Sequence, residues 1–582
     1  MRTYMVIPTY WTGPKGAWDE GDKVFDHPTP IDEYGTLGRT LKSLKILENK
    51  DFTLIILGVV TNPRYEDDMR RRLTEIISSI KIPVDTILIT EKEVTAIREI
   101  MCKGFDDAGI LSLKNYSSIR NMCLFFPYLL GADIAVLIDD DEIFEDPRFM
   151  NKATEFIGRR FYGNTIDGVA GYYLNEDNEY YDKVNIAPWM TYWDRFGDKR
   201  EAFDKIIGSD PRLKKTPFAF GGAMVIHRNL FRIVPFDPNI TRGEDTDYVL
   251  NARIFGFNFY LDNTLAIKHL PPPKKHTIWK RFREDIYRFL YDKSKFDNQE
   301  ETTNLHKVMP EDFDPYPGEF LKPDLGDKIF KTNIILALNY LTDGDVEACK
   351  ETIRNIYLAR YDAIPHYNTY KKYLAFQKEW RALLERTKDF AKDELMGILN
   401  RCIIVKHDKY QMEKTKFLKK SGIAQNLQFR KIELFKTFNK TQLRKLFYVS
   451  DVVTMKKDSY VFKSGETDGN IYIIISGAME ILKQERTSQK LMQVALLQQG
   501  EHFNESAIFF DTPHTVTIRA ITDVELFRID KTKALELMKE DCDFAAKLLW
   551  RISSKLSERL SLTTSRFSES QEQASDISDD MQ

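Results

Sequence analysis

Strand-like and helix-like segments alternate along the first 140 or so residues of the chain, and this alternation most constrains its fold. Apolar runs that suit buried strands cover Tyr4–Ile7 (which we expect Pro8 to end), Phe52–Val60, Val84–Ile89 and Ile134–Ile138. Stretches with the apolar spacing of helices separate these runs. Alternating strands and helices are typical of a mainly parallel sheet with helices on both faces. The sequence therefore predicts an α/β fold, doubly wound, for the first half of the chain.

The last of these strands leads directly into Asp139, Asp140, Asp141 and Glu142. Crowded like charges are costly, so the cluster needs either a neutralising cation or exposure to solvent. Ligands of open α/β sheets bind just beyond the carboxyl ends of the strands. Carboxylate oxygens at that position suit a hard divalent metal. A metal site and a solvated acidic loop are both compatible with this spacing alone.

Three further features follow between residues 168 and 269, a region of short strands and irregular connections. The Gly221-Gly222 pair favours either close approach of the backbone to a ligand or a tight turn. Glu244 and Asp245 open a helix, where carboxylates also interact favourably with the helix dipole. His269 ends the second of two short strands predicted near residues 256–262 and 265–269, as a metal ligand or as an edge residue.

Composition excludes several classes of protein. The 582 residues are too many for one core, so several domains are expected. The net charge of -3 offers no general argument for nucleic acid as a partner. Five scattered cysteines indicate a reducing compartment. Because the first residues lack an apolar signal segment and no long apolar window follows, we expect a cytoplasmic protein without a transmembrane segment.

The remainder of the chain changes character twice. Residues 286–428 have helical periodicity and no chemical motif, which predicts a helical extension or linker behind a first domain at residues 1–285. Residues 429–561 carry short strands with glycine turns and a final helix from Lys531 through Leu560, which predicts a β-roll with flanking helices. Residues 562–582 are rich in Ser, Gln and Asp and are predicted to be a disordered tail.

The order of these parts over residues 3–280 resembles the GT-A glycosyltransferases, especially the family 2-like group. The resemblance rests on Val6–Tyr10, Arg120-Asn121, Leu137–Asp141, Phe220–Gly222, Gly243–Asp245 and His269. It implies a nucleotide-diphospho-sugar transferase domain of the GT-A type, in an enzyme of the hexosyltransferase type. Such an enzyme moves a sugar from a nucleotide-diphosphate donor to a hydroxyl acceptor, which is a saccharide or a small molecule.

The resemblance also implies roles for individual residues. Asp139 and Asp141 match the Asp-x-Asp element, which holds Mn²⁺ or Mg²⁺ against the donor diphosphate, and His269 matches the residue that completes the metal site. A cation in that position would stabilise the departing nucleotide diphosphate. The residues that would contact the donor are Pro8, Thr9, Tyr10, Asn62, Arg120, Asp139, Asp140, Gly221 and Gly222.

Asp245, with Glu244 as second choice, matches the catalytic carboxylate of inverting members, which takes the proton of the acceptor hydroxyl. In a retaining enzyme Asp245 would orient the acceptor instead. Many family members have an aspartate that reads uracil where Thr61-Asn62 stand here, so the nucleotide base is open. The long loop after Tyr10 predicts a lid or an acceptor wall.

Residues 430–560 resemble the cyclic nucleotide-binding domain family, through Gly465-Glu466, Gly477 and the segment from Gly500 to Ala520. The resemblance implies a pocket formed by Asn504, Glu505, Ser506, His514 and Thr515. Asn504 replaces the family's glycine, and His514 stands where an arginine would pair with the cyclic phosphate. Since a guanidinium offers a two-pronged contact that an imidazole lacks, we predict no ordinary binding of cAMP or cGMP. A degenerate sensor, a different ligand and a docking module all remain compatible.

Three readings of the whole chain follow. The first is a metal-dependent glycosyltransferase with a C-terminal regulatory or docking module. The second is a nucleotidyltransferase, although these commonly carry a Gly-rich, Lys-bearing phosphate loop near the N-terminus that is not evident here. The third is a cyclic nucleotide-responsive scaffold with an inactive transferase domain. Peripheral contact with a membrane and assembly into a homo-oligomer stay open in each.

Overall fold

The chain forms two compact units, Met1–His407 and Asp408–Gln582, called here the N-terminal unit and the C-terminal unit. The computed structural model describes residues 1–16, 25–102, 109–161, 163–181, 187–272, 277–300, 302, 305–387, 392–405, 435, 438, 439, 442, 443, 445, 446, 449–484, 490–508, 512–558 and 561. The predicted tail at 562–582 lies outside the described residues.

The N-terminal unit contains the following strands: β1 Thr3–Thr12, β2 Thr29–Pro30, β3 Thr53–Val60, β4 Thr86–Ile89, β5 Ile134–Leu137, β6 Glu142–Ile143, β7 Arg160–Phe161, β8 Asn164–Thr165, β9 Gly168–Leu174, β10 Leu213–Lys215, β11 Met224–His227, β12 Phe259–His269 and β13 Ile403–Val405. Its helices are α1 Leu37–Ser43, α2 Glu66–Ile80, α3 Glu91–Met101, α4 Tyr116–Leu129, α5 Phe149–Glu155, α6 Arg195–Ile206, α7 Arg228–Phe231, α8 Glu244–Ile254, α9 Ile278–Asp297, α10 Leu325–Thr342, α11 Val346–Tyr361, α12 Thr369–Arg386 and α13 Lys392–Arg401.

One large twisted sheet organises this unit, with the strand order β10-β12-β9-β11-β5-β1-β3-β4-β13. The pairs β5–β1, β1–β3 and β3–β4 are parallel, as the alternation of strands and helices predicted. The antiparallel strand β11 joins β5 to β9, and β12 lies parallel to β9. The α/β prediction is therefore confirmed, with antiparallel strands added on the side of the sheet that follows β5.

The sheet separates two hydrophobic layers because successive residues of a strand point to opposite faces. Met5 and Ile7 of β1 pack with α1, α2 and α5 on one face. Val6, between them, packs with α3, α4 and α8 on the other. This second layer also includes buried residues of α9, α10, α12 and α13, so the helices beyond residue 285 share a core with the sheet.

Side chains of α12 fix those later helices to the sheet domain. Trp380 Nε1 donates to the carbonyl of Phe231 at 3.0 Å, and the Tyr373 hydroxyl donates to the carbonyl of Pro235 at 2.9 Å. Buried donors need such partners, since an unsatisfied buried polar group costs about 1–3 kcal/mol. The two bonds hold α12 against the segment between β11 and α8.

Two sequence predictions about strand limits are wrong. Pro8 does not end β1, which continues to Thr12 beside β3. Val6 accepts from Ile138 N on the β5 side, and Pro8 faces the same side two residues later, where β5 has already ended. Because no described strand lies beside Pro8 on that side, the missing N–H of the proline removes no hydrogen bond between strands. The two short strands near residues 256–269 are one strand, β12, whose register with β9 shifts between Leu261 and Ala266.

The C-terminal unit contains two four-stranded antiparallel sheets and following helices, in agreement with the predicted β-roll with flanking helices. Its strands are β14 Ser450–Met455, β15 Tyr460–Phe462, β16 Ile471–Ser476, β17 Met479–Gln484, β18 Leu491–Leu497, β19 His502–Phe503, β20 Thr517–Ala520 and β21 Val524–Ile529. The sheet orders are β14-β21-β16-β19 and β15-β20-β17-β18. Helix α14, Lys531–Glu540, ends at Asp541, and a further helix covers 542–558, so the single final helix predicted from the sequence is two.

No helix in the described part of the chain is long and apolar enough to cross a membrane. The longest, α9, has 20 residues, but it includes Asp285, Arg288, Asp292 and Lys295 among its buried side chains.

Candidate functional site

Arg120 joins the carboxylate run to the acidic start of α8. It lies in the almost completely buried helix α4. Its Nη2 lies 2.8 Å from Asp139 Oδ1, and its Nε donates to Glu244 Oε1 at 3.3 Å. Burial raises the pKa of Glu244, and the neighbouring guanidinium of Arg120 opposes that shift. Two carboxylates that lie far apart in the sequence thus share one buried cation.

Several buried polar atoms at this sheet edge make no hydrogen bond to any described residue. They are Arg120 Nη1, Asp139 Oδ1, Glu142 Oε1 and the Tyr10 hydroxyl. The ion pair with Arg120 compensates the charge of Asp139 but does not supply a hydrogen bond to Oδ1. Because buried polar groups are nearly always hydrogen-bonded in native proteins, this concentration favours a polar ligand at the strand ends.

Tyr173 on β9 is a central residue of the site that sequence reasoning missed. Its hydroxyl accepts from Gly222 N at 2.7 Å and donates to Asp139 Oδ2 at 3.4 Å. Its ring stacks on His269, with centroids 4.5 Å apart. No motif surrounds this tyrosine in the sequence, and only the pairing of β9 with β12 brings it beside His269.

The Gly221-Gly222 pair lets the backbone pass close to the side chains of Arg120 and Glu142. Gly221 N donates to Asp245 Oδ2 at 3.1 Å, which ties this turn to the start of α8. A Cβ atom on Gly221 would lie 2.5 Å from Arg120 Nη2, and one on Gly222 would lie 1.9 Å from Glu142 Oε1. The pair forms a tight turn, in which Ala223 N donates to the carbonyl of Phe220 at 2.8 Å, and it also brings the backbone close to these two side chains.

Gly222→Ala is expected to destabilise the protein by about 1–3 kcal/mol, the usual cost of an added methyl in a packed site. The new Cβ must displace the Glu142 carboxyl group, which accepts a hydrogen bond from Asp139 N at 3.0 Å. Denaturant unfolding measures the loss. Gly326→Ala is the matched control, since nothing lies within 4 Å of its Cβ position in α10. That substitution should stabilise the protein by about 0.4–1 kcal/mol, and equal losses in both variants would contradict the clash.

Asp141 lies between two histidines, of which the sequence identified one. Pairing of β6 with β12 places the carboxylate run beside His269. His269 Nε2 lies 3.4 Å and His27 Nε2 3.5 Å from Asp141 Oδ2. Burial alone would raise the pKa of Asp141, but the two neighbouring histidines, first His269 and then His27, hold it below its ordinary value. His27 lies in a Gly- and Pro-rich loop without periodicity, so no sequence signal marked it.

This donor set suits a divalent ion in its chemistry. The two nitrogen–oxygen distances are long for hydrogen bonds. As the side chains stand, no three His, Cys, Asp or Glu residues among those described converge closely enough to hold a metal. Asp139, which faces Arg120 and Tyr173, is not part of this histidine cluster.

Asp140 points back to β1. Its Oδ2 accepts from Thr9 Oγ1 at 2.5 Å, and Thr9 in turn accepts from Trp11 Nε1 at 3.0 Å. Burial and the charge of Asp141 raise the pKa of Asp140 to about 8. Through Thr9 the Asp140 side chain is bound to β1, and in this arrangement Asp140 positions the loop that carries its two neighbours.

The remaining donor residues predicted from the sequence lie along the ends of β1 and β3. Tyr10 packs against Phe25 and Tyr116, with ring centroids 4.5 and 5.4 Å away. Asn62 caps a helical turn after β3, where its side chain accepts from Arg64 N at 3.1 Å. Pro8 pairs with Leu57 inside the sheet, so it lies deeper than Thr9 and Tyr10.

In the C-terminal unit, Asn504 occupies the place of the glycine that the family resemblance implies. Its φ of 64° lies in the left-handed region. Asparagine is one of the few residues other than glycine that adopt this conformation readily. The Asn504 side chain also donates to the carbonyls of Asp468 and Asn470 at 2.9 and 2.8 Å. Asparagine at position 504 therefore adopts the left-handed conformation that glycine would favour, and its side chain adds two hydrogen bonds.

Glu505 and His514, two of the residues predicted to contact a cyclic nucleotide, already have protein partners. Glu505 Oε1 lies 3.2 Å from His502 Nε2, and both side chains are buried. His514 stacks on Phe462 at 3.7 Å, and its Nε2 accepts from Asp468 N at 3.0 Å. Burial lowers the pKa of His514. Thr515 is exposed, and the Ser506 side chain lies outside the described part of the chain.

Residues 452–541 match the model of the cyclic nucleotide-binding domain family. This part of the C-terminal unit, with its two antiparallel sheets, is therefore a domain of the kind that the family describes. The match covers the strands β14–β21 and the helix that follows them, apart from the first residues of β14.

Known proteins resemble about a fifth of the chain. The cGMP-dependent protein kinase of Plasmodium berghei (strain Anka) is 23% identical over 111 residues, or 19% of this chain and 12% of that protein. The CRP-like protein Clp of Xanthomonas oryzae pv. oryzae (strain PXO99A) is 30% identical over 110 residues, or 19% of this chain and 47% of Clp. The chain thus spans less than half the length of either relative.

Solved structures resemble about a quarter of the chain. The sensor domain of the transcriptional regulator DNR from Pseudomonas aeruginosa is 24% identical and covers 26% of this chain and 95% of that one, with a TM-score of 0.21. The Thermus thermophilus Catabolite Activator Protein is 17% identical and covers 23% of this chain and 61% of that one, also with a TM-score of 0.21.

Proposed function

We propose that the N-terminal unit is a metal-dependent glycosyltransferase that moves a sugar from a nucleotide-diphosphate donor to a hydroxyl acceptor. One observation carries the proposal. Arg120 bridges Asp139, at the end of a parallel strand, to Glu244, and Gly221 N binds the adjacent Asp245. The buried cation, the backbone turn and the carboxylates thus meet at one sheet edge, which is where open α/β sheets bind nucleotides.

The donor diphosphate would bind at this edge. Arg120, whose Nη1 makes no hydrogen bond to any described residue, lies beside the carboxylate run and would pair with the diphosphate. Asp141, His269 and His27 would hold the divalent ion, with Asp139 facing the same region. When bound, Mn²⁺ or Mg²⁺ offsets the charge that builds up on the departing diphosphate. The orphaned Tyr10 hydroxyl, next to Phe25 and Tyr116, suits the nucleoside end of the donor.

Asp245 is the better of the two candidate bases. Glu244 is buried and committed to Arg120, whereas Asp245 is only half-buried and accepts from backbone N–H groups. A carboxylate that takes a proton must reach the acceptor hydroxyl directly or through one water. In this proposal Asp245 takes the proton of the attacking hydroxyl, and transfer inverts the anomeric carbon.

The test is donor binding and turnover with Mn²⁺. A thermal-shift screen of UDP-, GDP-, ADP- and CDP-sugars identifies the donor, because a bound ligand raises the unfolding temperature. Asp141→Ala and His269→Ala should each abolish the Mn²⁺-dependent part of donor binding and turnover. Unchanged activity in both variants would refute the metal assignment. Release of pyrophosphate from a nucleoside triphosphate supplied with a sugar phosphate would favour a nucleotidyltransferase, and absence of donor binding would favour an inactive domain.

We further infer that the C-terminal unit regulates or docks the enzyme without ordinary cAMP or cGMP binding. The engagement of Glu505 with His502, and of His514 with Phe462 and Asp468, supports this inference. Calorimetry of the full chain with cAMP and cGMP should therefore give no saturable heat at micromolar ligand. Tight binding of either nucleotide would overturn the inference and favour a cyclic nucleotide-responsive protein.

A further inference from the structure

Lys199 on α6 is a charged residue that has no role yet in the sheet-edge site. It is half-buried, and its Nζ lies 4.8 Å from the centroid of the Tyr316 ring. Among the residues that the structure describes, Lys199 has no hydrogen-bond acceptor and no carboxylate partner. An ammonium group can donate three hydrogen bonds. Since the half-buried side chain still reaches solvent, these donors are open to a ligand.

Two guanidinium groups near Lys199 differ from it in having partners. Arg195 pairs with Asp285. Arg288 Nη1 donates to the Tyr316 hydroxyl at 3.4 Å. Burial lowers the pKa of Lys199, and the two guanidinium groups lower it further, whereas Tyr316 opposes this shift. An anion bound to Lys199 would offset the cost of the ammonium charge, because charge-assisted hydrogen bonds are strong.

The ionisation of Tyr316 gives the sign of the potential in this cluster. The residue is 3% exposed, and burial alone would raise the pKa of its hydroxyl. The charges of Lys199, Arg288 and Arg195 nevertheless bring that pKa below its ordinary value, although Asp285 acts against them. The potential at the Tyr316 ring, on which Lys199 lies, is therefore positive. A positive potential in a partly buried place attracts anions.

Helix α6 places Lys199 beside the candidate base Asp245. Phe203 lies one helical turn after Lys199, so the two side chains share a face of α6. The Phe203 ring packs against that of Phe220, with centroids 5.3 Å apart. Gly221, the next residue, donates from its N to Asp245 Oδ2 at 3.1 Å. The charge of Asp245 also acts on Lys199 directly. The face of α6 that carries Lys199 therefore borders Asp245.

We propose that the acceptor of sugar transfer carries an oxyanion, a phosphate or a carboxylate, and that Lys199 binds this group while Asp245 takes the proton of the acceptor hydroxyl. An ammonium group is a compact positive charge with rotatable donors, so it suits either oxyanion. The inference rests on the proposed function, because only that function makes the ligand an acceptor. Lys199 is separate from the residues assigned to the metal and the donor diphosphate.

Calorimetry of the full chain, without donor or Mn²⁺, tests the oxyanion site with glucose 6-phosphate, glucuronate and uncharged glucose. At least one of the two anions should bind about tenfold or more tightly than glucose, the usual effect of one hydrogen bond to a charged group. Tighter binding of glucose 6-phosphate identifies a phosphate site, and tighter binding of glucuronate identifies a carboxylate site. Equal affinities for the three sugars, or no binding of any of them, would overturn the proposal.

Lys199→Gln locates the bound oxyanion. This variant should bind the preferred anion about tenfold more weakly. Its unfolding temperature without ligand should not fall, because Lys199 has no ion-pair partner to lose among the described residues. Lys205→Gln removes an exposed charge from the same helix and is the matched control, which should leave anion binding unchanged. Equal anion affinities in the two variants would place the anion elsewhere and refute the role of Lys199.

The nucleotide-sugar screen separates this inference from the proposed function. Lys199→Gln should bind the donor as tightly as the unmodified protein does, because the metal and diphosphate residues are unchanged. An equal loss of donor and anion binding in Lys199→Gln would assign Lys199 to the donor diphosphate and refute its role at the acceptor. Anion binding that depends on Lys199, with no nucleotide sugar bound, would refute sugar transfer and retain only the oxyanion site.

Discussion

Asp245→Asn is expected to lower the turnover number of sugar transfer by about 10²- to 10⁴-fold, the usual contribution of general base catalysis. The asparagine oxygen can still accept from Gly221 N, so the turn and the start of α8 should remain in place. Donor affinity should change little, because Arg120 and the Asp139–Asp141 run are untouched. Steady-state kinetics with the donor found by the thermal-shift screen, together with donor titration, separates the two effects.

Comparison of Glu244→Gln with Asp245→Asn decides which of the two carboxylates acts as the general base. Glu244 accepts from Arg120 Nε, so its loss should weaken donor binding more than it slows turnover. A larger fall in turnover for Glu244→Gln than for Asp245→Asn would transfer the base role to Glu244. Turnover by Asp245→Asn close to that of the unmodified enzyme would indicate that Asp245 orients the acceptor, as in a retaining mechanism.

Lys295→Met is expected to destabilise the N-terminal unit by about 3–5 kcal/mol, the cost of removing one partner from a buried ion pair. Lys295 is fully buried in α9, with its Nζ 3.0 Å from Asp237 Oδ2 and 2.5 Å from Asp247 Oδ1. Burial alone would lower the pKa of Lys295, but the surrounding carboxylates raise it, so the lysine stays charged. Without it, two carboxylates remain buried with no cation between them. Denaturant unfolding followed by circular dichroism measures the loss.

Lys293→Met on the same helix is the matched control. Lys293 pairs with the exposed Asp297 one turn later, and such surface pairs contribute about 0.3–0.5 kcal/mol. The double variant Lys295→Met with Asp247→Asn should recover part of the stability, because it removes one of the stranded charges. A loss in Lys295→Met no larger than that in Lys293→Met would show that the buried cluster is compensated by other groups.

Much of the sheet was predictable because its signals are local. Buried strands appear as short apolar runs, and parallel strands place their carboxyl ends at one edge, where the sequence located Asp139 and Asp141. The roles assigned to these residues by family resemblance remain predictions, which the variants above test. Four of the eight C-terminal strands, β15, β16, β17 and β18, were predicted in the same way, from short apolar runs and glycine turns, whereas β14, β19, β20 and β21 were not.

The partners within the site were not predictable. His27 lies in an irregular loop and Tyr173 in an ordinary strand, and each reaches the site through contacts between distant segments. The sequence around Pro8 predicted the end of β1. However, β5 ends before it reaches Pro8, so the missing N–H of the proline interrupts no hydrogen bond between these strands.

The sequence by itself determined the α/β layering, the β-roll and the types of residue at the strand ends, because periodicity and turn chemistry act over a few residues. Only the tertiary structure decided that Arg120 pairs with Asp139 and Glu244, that Asp141 lies between two histidines, and that Gly221-Gly222 makes room for Arg120 and Glu142. Strand register and helix packing set those contacts, and both depend on burial across the whole unit, which no local pattern records.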